Sequence, residues 1–165
     1  MSYNIDEKWM AIVKEIVDWA YEEGMDVIIS MHHDNCSESN FESVVGFYPS
    51  LECKADSIEY VTRIWEQISE TFNNDYDEHL VFEVMNEPRL KGHIHEWGFS
   101  TFCKDCRDSM NVVKEFNQAC LDTIRKSGGN NAKRLVVVPS LCASPFNALN
   151  PLFQLPKDSA RDALA

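Results

Sequence analysis

The residues best suited to chemistry are an asparagine and a glutamate that close a strand-like run. Residues 80–85 are apolar and rich in strand-forming types apart from one carboxylate, as expected for a strand buried on both faces. Pro88 ends this strand, because proline has no N–H to give to a ladder. Asn86 and Glu87 therefore lie at a rigid strand end. A carboxylic acid beside an amide there suits protonation of a leaving-group oxygen, with the amide holding a substrate hydroxyl.

A second apolar run, residues 26–31, also ends in titratable side chains, the pair His32-His33. Because side chains alternate along a strand, one of two adjacent histidines points inward and the other toward a neighbour or the rim. In parallel α/β barrels the chemistry gathers at the C-terminal ends of the strands. The two runs therefore predict that His32, Asn86 and Glu87 converge in one cleft.

Helical and strand patterns alternate along the chain, which predicts a parallel sheet with right-handed crossovers. The predicted helices are 6–23, 56–72 and 109–127, and the predicted strands are 26–32, 80–86 and 134–140. Asp6 and Gly24 are the expected start and stop signals of the first helix. Trp9, Trp19 and Trp65 occur at helical spacing and are predicted to lie in the core. Alternation also predicts that Glu83, Met85 and Glu87 share one strand face.

The two motifs and their surroundings resemble a known enzyme family. The runs VIISMHHDN, HLVFEVMNEPRL and GGNNAKRLVVVPSLCASP are similar to glycoside hydrolase family 5, particularly its endoglucanase and xyloglucanase branch. The resemblance implies the α/β fold class and a (β/α)8 TIM barrel. We expect residues 1–165 to be a central fragment of that barrel, roughly strands three to five with their helices, without the N-terminal strands and strands six to eight.

The resemblance also implies a function, that of a retaining endo-β-glucanase hydrolysing β-1,4-glucosidic bonds of plant polysaccharides. Glu87 matches the general acid/base, and Asn86 the residue that binds the 2-hydroxyl at the cleavage site. His32 matches the histidine beneath that sugar, and His33 a substrate contact on the glycone side. Retention needs a second carboxylate about 5–5.5 Å away. No residue matches that nucleophile, so this chain alone is expected to be inactive.

Two connections of about twenty residues, 34–55 and 88–108, follow the strand ends. Loops of this length usually carry function. Trp97 and Tyr48 in these loops are candidates for aromatic platforms on which sugar rings stack. For Tyr48, packing at the rim of the barrel is an equally open alternative, whereas a platform is favoured for Trp97 because the Glu-Trp pair recurs in the branch.

Two alternatives remain open at this stage. One is a non-catalytic carbohydrate-binding barrel segment. The other is a metal-dependent hydrolase using His32, His33, Asp34 and Glu87, although adjacent histidines with opposed directions rarely chelate one ion. We therefore predict no metal and no cofactor.

Composition narrows the choice of partners. A net charge of −12 argues against nucleic acid or an anionic membrane as a binding partner, because both are negatively charged. Binding of an uncharged polymer, such as a β-glucan or a related plant cell-wall polysaccharide, would not be opposed by this charge. The resemblance implies an extracellular or cell-surface protein, with a monomeric catalytic domain when complete. The six cysteines show no framework spacing, and Cys103-Lys104-Asp105-Cys106 is a lone Cys-x-x-Cys, which is weak support for zinc or a redox pair.

Overall fold

The computed structural model of the chain describes residues 3–32 and 46–165. Helices and strands alternate in it, and each predicted element is present. Their bounds are α1 Glu7–Glu22, β1 Val27–Ser30, α2 Lys54–Thr71, β2 Leu80–Glu83, α3 Lys104–Lys126, β3 Val136–Val137 and the short α4 Pro145–Ala148. Among the helices of these two ranges, none combines the length and apolar character needed to cross a membrane.

The three strands form one parallel sheet in the order β1-β2-β3. Ile28 is in register with Val81, and Phe82 with Val136. The predicted parallel α/β arrangement, part of a TIM barrel, is confirmed. The strands are shorter than predicted, most clearly β3, which has two residues instead of seven.

A further parallel neighbour of β3 was not predicted. The N–H of Val136 donates to the carbonyl of Ala163 at 3.0 Å, and the N–H of Ala165 donates back to Val136 at the same distance. Val136 and Leu164 form the corresponding bridge. Because residues 158–165 contain no apolar run, their pattern gives no strand signal.

The first helix begins and ends as predicted. The carboxylate of Asp6 accepts a hydrogen bond from the N–H of Trp9 at 2.9 Å, which satisfies one of the unpaired donors of the first turn. Gly24 adopts a φ of 72°, the left-handed conformation that glycine reaches without steric cost.

Helices α2 and α3 cover one face of the sheet. Phe82 and Leu80 of β2 are fully buried against side chains of these helices, including Trp65 and Phe116. The opposite face is open within the described residues, where Ile28 is 62% exposed. In a closed barrel this face would line the interior. In β2, for which burial on both faces is predicted, Leu80 and Phe82 are buried on the helix side, whereas Val81 and Glu83 on the open face are only partly buried.

The prediction that all three helical tryptophans lie in the core is correct for Trp65 alone. Trp9 and Trp19 are 60% and 56% exposed. Helix α1 carries two apolar stripes, and the sheet covers the one containing Val13 and Val17. The tryptophans belong to the second stripe, which no described residue covers. Periodicity identifies both stripes but not the one that a neighbour buries.

Candidate active site

The ends of β1 and β2 are held side by side at the C-terminal edge of the sheet. The N–H of Asn86 donates to the carbonyl of Met31 at 2.9 Å. This bond lies beyond the last paired residues of both strands and places His32 next to the pair Asn86-Glu87. The backbone thus brings three predicted site residues to one edge.

The pleat of β2 is interrupted just before the candidate acid. Val84 donates its N–H to Val137 of β3 at 3.0 Å, whereas Asn86, two residues later, donates to the β1 side. In a regular strand both would donate to the same neighbour. Met85 accordingly lies in the helix-side core, fully buried. The prediction that Glu83, Met85 and Glu87 share one face depends on regular alternation, which does not continue as far as Asn86.

The carbonyl of Val84, at this interruption, is held by the core. Trp65 in α2 donates its indole N–H to that oxygen at 2.8 Å, and both residues are fully buried. A buried carbonyl without a partner is costly, so this bond stabilises the altered backbone course. One tryptophan of α2 thus fixes the direction in which Asn86 and Glu87 leave the sheet.

Glu87 is accessible and has a cationic neighbour. Its side chain is 38% exposed, and its carboxylate oxygen Oε2 lies 3.5 Å from Nη1 of Arg89. The same guanidinium nitrogen donates to the Glu87 carbonyl at 3.3 Å. A substrate oxygen can therefore reach the carboxyl while Arg89 orients it.

Arg89 also organises the loop that follows. Its Nε donates to Glu96 at 3.0 Å, and its guanidinium carbon lies 4.1 Å from the ring centroid of Trp97. The N–H of Gly92 and the guanidinium of Arg89 lower the pKa of Glu96, which keeps this ion pair charged at neutral pH. Trp97 remains 62% exposed. The exposed ring of Trp97 is compatible with the predicted sugar platform. In the sequence, the only sign that Arg89 contributes to the site is its position two residues after Glu87.

The segment after β3 forms hydrogen bonds with the loop that follows β2. Cys142 donates its N–H to the carbonyl of Pro88 at 2.8 Å, and its Sγ lies 3.1 Å from the carbonyl of Glu96. Burial raises the pKa of the Cys142 thiol to about 11, so the thiol keeps its proton and donates it. Cys142 has a φ of 61°, a strained value for a residue with a Cβ, such as is found near functional sites.

The remaining predicted residues fall in different places. His32 is exposed and lines the edge of an apolar cavity of about 610 Å³ between α1, β1 and α2. His33 and Asp34 lie outside the described residues. Tyr48 is 4% exposed and donates its hydroxyl to the carbonyl of Lys91. Because its ring is covered by protein, the alternative that Tyr48 is a sugar platform is wrong.

A second cluster of chemical groups lies in the same loop. A ring nitrogen of His93 and the sulfur atoms of Cys103 and Cys106 all lie within 4.8 Å of one another. The Cys-x-x-Cys spacing marks the two cysteines in the sequence, but nothing marks His93, because nine residues without regular structure separate it from Cys103. These three donors could hold a metal ion.

Known proteins match this chain closely. A family model described as cellulase (glycosyl hydrolase family 5) matches residues 1–164. The cellulase/esterase CelE of Acetivibrio thermocellus is 39% identical over 160 residues, which cover 96% of this chain and 18% of that protein.

Two solved structures share the fold. A complex of a family 5 lichenase mutant from Caldicellulosiruptor sp. F32 with cellotetraose gives a TM-score of 0.91 at 36% identity, covering 98% of this chain and 41% of that one. A broad specificity endoglucanase from Ruminococcus champanellensis with bound cellotriose gives 0.84 at 34%, covering 99% and 43%. The chain thus spans less than half the length of these relatives. It belongs to the cellulase family, glycosyl hydrolase family 5.

Proposed function

We propose that this chain supplies the acid/base side of an endo-β-1,4-glucanase active site. The observation that carries the proposal is the placement of Glu87, half-exposed at the C-terminal edge of a parallel sheet, beside the end of the strand that leads to His32. Barrel enzymes place their chemistry at this edge. The lichenase and endoglucanase with bound cello-oligosaccharides support a glucan as the substrate.

In this mechanism Glu87 gives its proton to the glycosidic oxygen as the bond to the anomeric carbon breaks. A second carboxylate, from another part of the barrel, forms a glycosyl ester with that carbon. Glu87, now a carboxylate, then takes a proton from the water that hydrolyses the ester. Asn86 holds the 2-hydroxyl, His32 lies beneath the same sugar, and Trp97 provides a stacking face at a neighbouring subsite.

The substrate class also bears on where the enzyme acts. An insoluble cell-wall polymer cannot enter a cell, so we expect secretion or display at the cell surface, with a monomeric catalytic domain. His33 contributes to substrate binding in this proposal. The metal-dependent alternative depends partly on His33 and Asp34, which lie outside the described residues.

The proposal is tested with soluble carboxymethylcellulose and a complete barrel containing this chain. An endo-acting enzyme lowers the viscosity before many reducing ends appear. Glu87→Gln should abolish most of this activity, whereas Glu78→Gln, an exposed glutamate before β2, should leave it unchanged. Glucan binding without cleavage by the unmodified barrel would contradict the proposal and favour the non-catalytic alternative.

A further inference from the structure

We propose that His93, Cys103 and Cys106 form a zinc site that fastens the loop after β2 to the start of helix α3. The three donor atoms lie within 4.8 Å of one another. Donors around a tetrahedral zinc ion are separated by about 3.4–3.8 Å, given bond lengths of 2.0–2.3 Å. A rearrangement of about 1 Å therefore brings them to coordination distance.

The two cysteines are arranged by the helix that they begin. Cys103 is the N-cap of α3, and its sulfur accepts the N–H of Cys106 at 3.3 Å. Burial raises the pKa of the Cys106 thiol to about 11, so a bound ion would have to displace the proton of this thiol. Cys106 is fully buried, so a bound ion would be shielded from solvent on one side.

Both ring nitrogens of His93 have polar neighbours. Its Nδ1 accepts the N–H of His95 at 3.1 Å, while Nε2 lies 3.6 Å from a carboxylate oxygen of Asp105. These contacts favour a proton on Nε2, and a cation bound at Nδ1 would replace the N–H of His95 as the partner of that lone pair. A carboxylate behind a metal-binding histidine is the usual second partner, because it fixes the ring and raises its basicity.

The donor set indicates which ion binds. Two thiolates and an imidazole suit zinc, with water or a carboxylate as the fourth ligand, better than calcium or magnesium, which prefer oxygen donors. Binding breaks two S–H bonds and forms two zinc–sulfur bonds, and the two protons pass to solvent. A disulfide between the cysteines would need no histidine, so His93 is the residue that favours metal over redox chemistry.

Such an ion would restrain the residues beside Glu87. Trp97 lies between His93 and Cys103 in sequence, and Glu96 joins the same loop to Arg89. Closing the ten-residue span from His93 to Cys103 reduces the conformations open to it. The site is therefore structural and has no part in bond cleavage.

Titration of the reduced, metal-free protein with Co²⁺ tests the site. We expect one ion per chain, with a thiolate-to-metal charge-transfer band and the intense visible bands of tetrahedral Co²⁺. Cys103→Ser and His93→Gln should each raise the dissociation constant more than about 100-fold, and Asp105→Asn by about 10- to 100-fold. Zinc should displace cobalt and slow proteolysis within residues 94–102.

Cys120→Ala is the matched control, since Cys120 lies in the same helix about 21 Å from Cys106 at 1.5 Å per residue. This variant should bind as the parent does. Circular dichroism without metal shows whether each variant is folded before it is compared. Failure of the reduced parent to bind micromolar Co²⁺, or equal binding by the parent and Cys103→Ser, would overturn the assignment.

Discussion

Replacing Trp65 by phenylalanine should damage both stability and catalysis, although Trp65 does not touch substrate. The change removes the 2.8 Å hydrogen bond to the carbonyl of Val84 and leaves that buried oxygen without its donor. An unsatisfied buried acceptor costs about 1–3 kcal/mol. The smaller ring leaves about 40 Å³ unfilled, adding about 1 kcal/mol at 24 cal/mol per Å³. The expected loss is about 2–4 kcal/mol, against a net stability of about 5–15 kcal/mol.

The effect on catalysis follows from the position of that bond at the interruption of β2. If the strand end relaxes by about 1 Å, the rate constant kcat on soluble glucan should fall by up to about 100-fold. Phe116→Leu is the control, because it opens a cavity in the same core and breaks no hydrogen bond. Urea unfolding and steady-state kinetics are measured for both variants in a complete barrel. Equal kcat values for the two variants would refute a positioning role for Trp65.

Two further outcomes are expected from the same protein. Trp97→Ala should raise KM for glucan about 10- to 30-fold, because covering roughly 70 Å² of the sugar surface contributes about 1.5–2 kcal/mol to binding. Ile94 is also exposed in that loop, so Ile94→Ala should leave KM unchanged, and equal effects of the two changes would contradict a stacking role for Trp97. Arg125 pairs with Asp158 at 2.7 Å, and its guanidinium lowers the pKa of the Asp158 carboxyl. The ion pair therefore adds to the free energy of unfolding at any pH above the unfolded pKa of about 3.9, and this stabilisation is lost as the pH falls through the lower pKa of the folded state. Asp158→Asn should therefore cost about 2–4 kcal/mol at pH 7 in urea unfolding and progressively less below pH 4, whereas a pH-independent difference would speak against the ion pair.

The fold was largely predictable because its signals are local. Helical spacing, the Asp6 cap and Gly24 fix α1, and the apolar runs fix β1 and β2. The neighbour of β3 at residues 163–165 escaped prediction because backbone hydrogen bonds to Val136, and no apolar pattern, hold it in place.

The site was predictable in its residue types and less so in its details. The strand ends indicated His32, Asn86 and Glu87, but regular alternation does not extend to them, because the backbone changes its hydrogen-bonding side between Val84 and Asn86. Trp65 stabilises this change through its bond to the carbonyl of Val84. Arg89 follows Glu87 by two residues, but its contacts with Glu96 and Trp97 depend on how the loop folds back, which no sequence pattern shows.

The central claim, that Glu87 is the general acid and base, is tested most directly by the leaving-group dependence of Glu87→Gln. In a complete barrel, kcat/KM on unactivated glucan should fall by about 10²–10⁴-fold, the usual contribution of proton transfer. On dinitrophenyl cellobioside, whose leaving group needs little protonation, kcat/KM should fall by less than about tenfold. Azide, a nucleophile that needs no base, should restore turnover of the aryl substrate. Equal losses on both substrates would contradict the assignment.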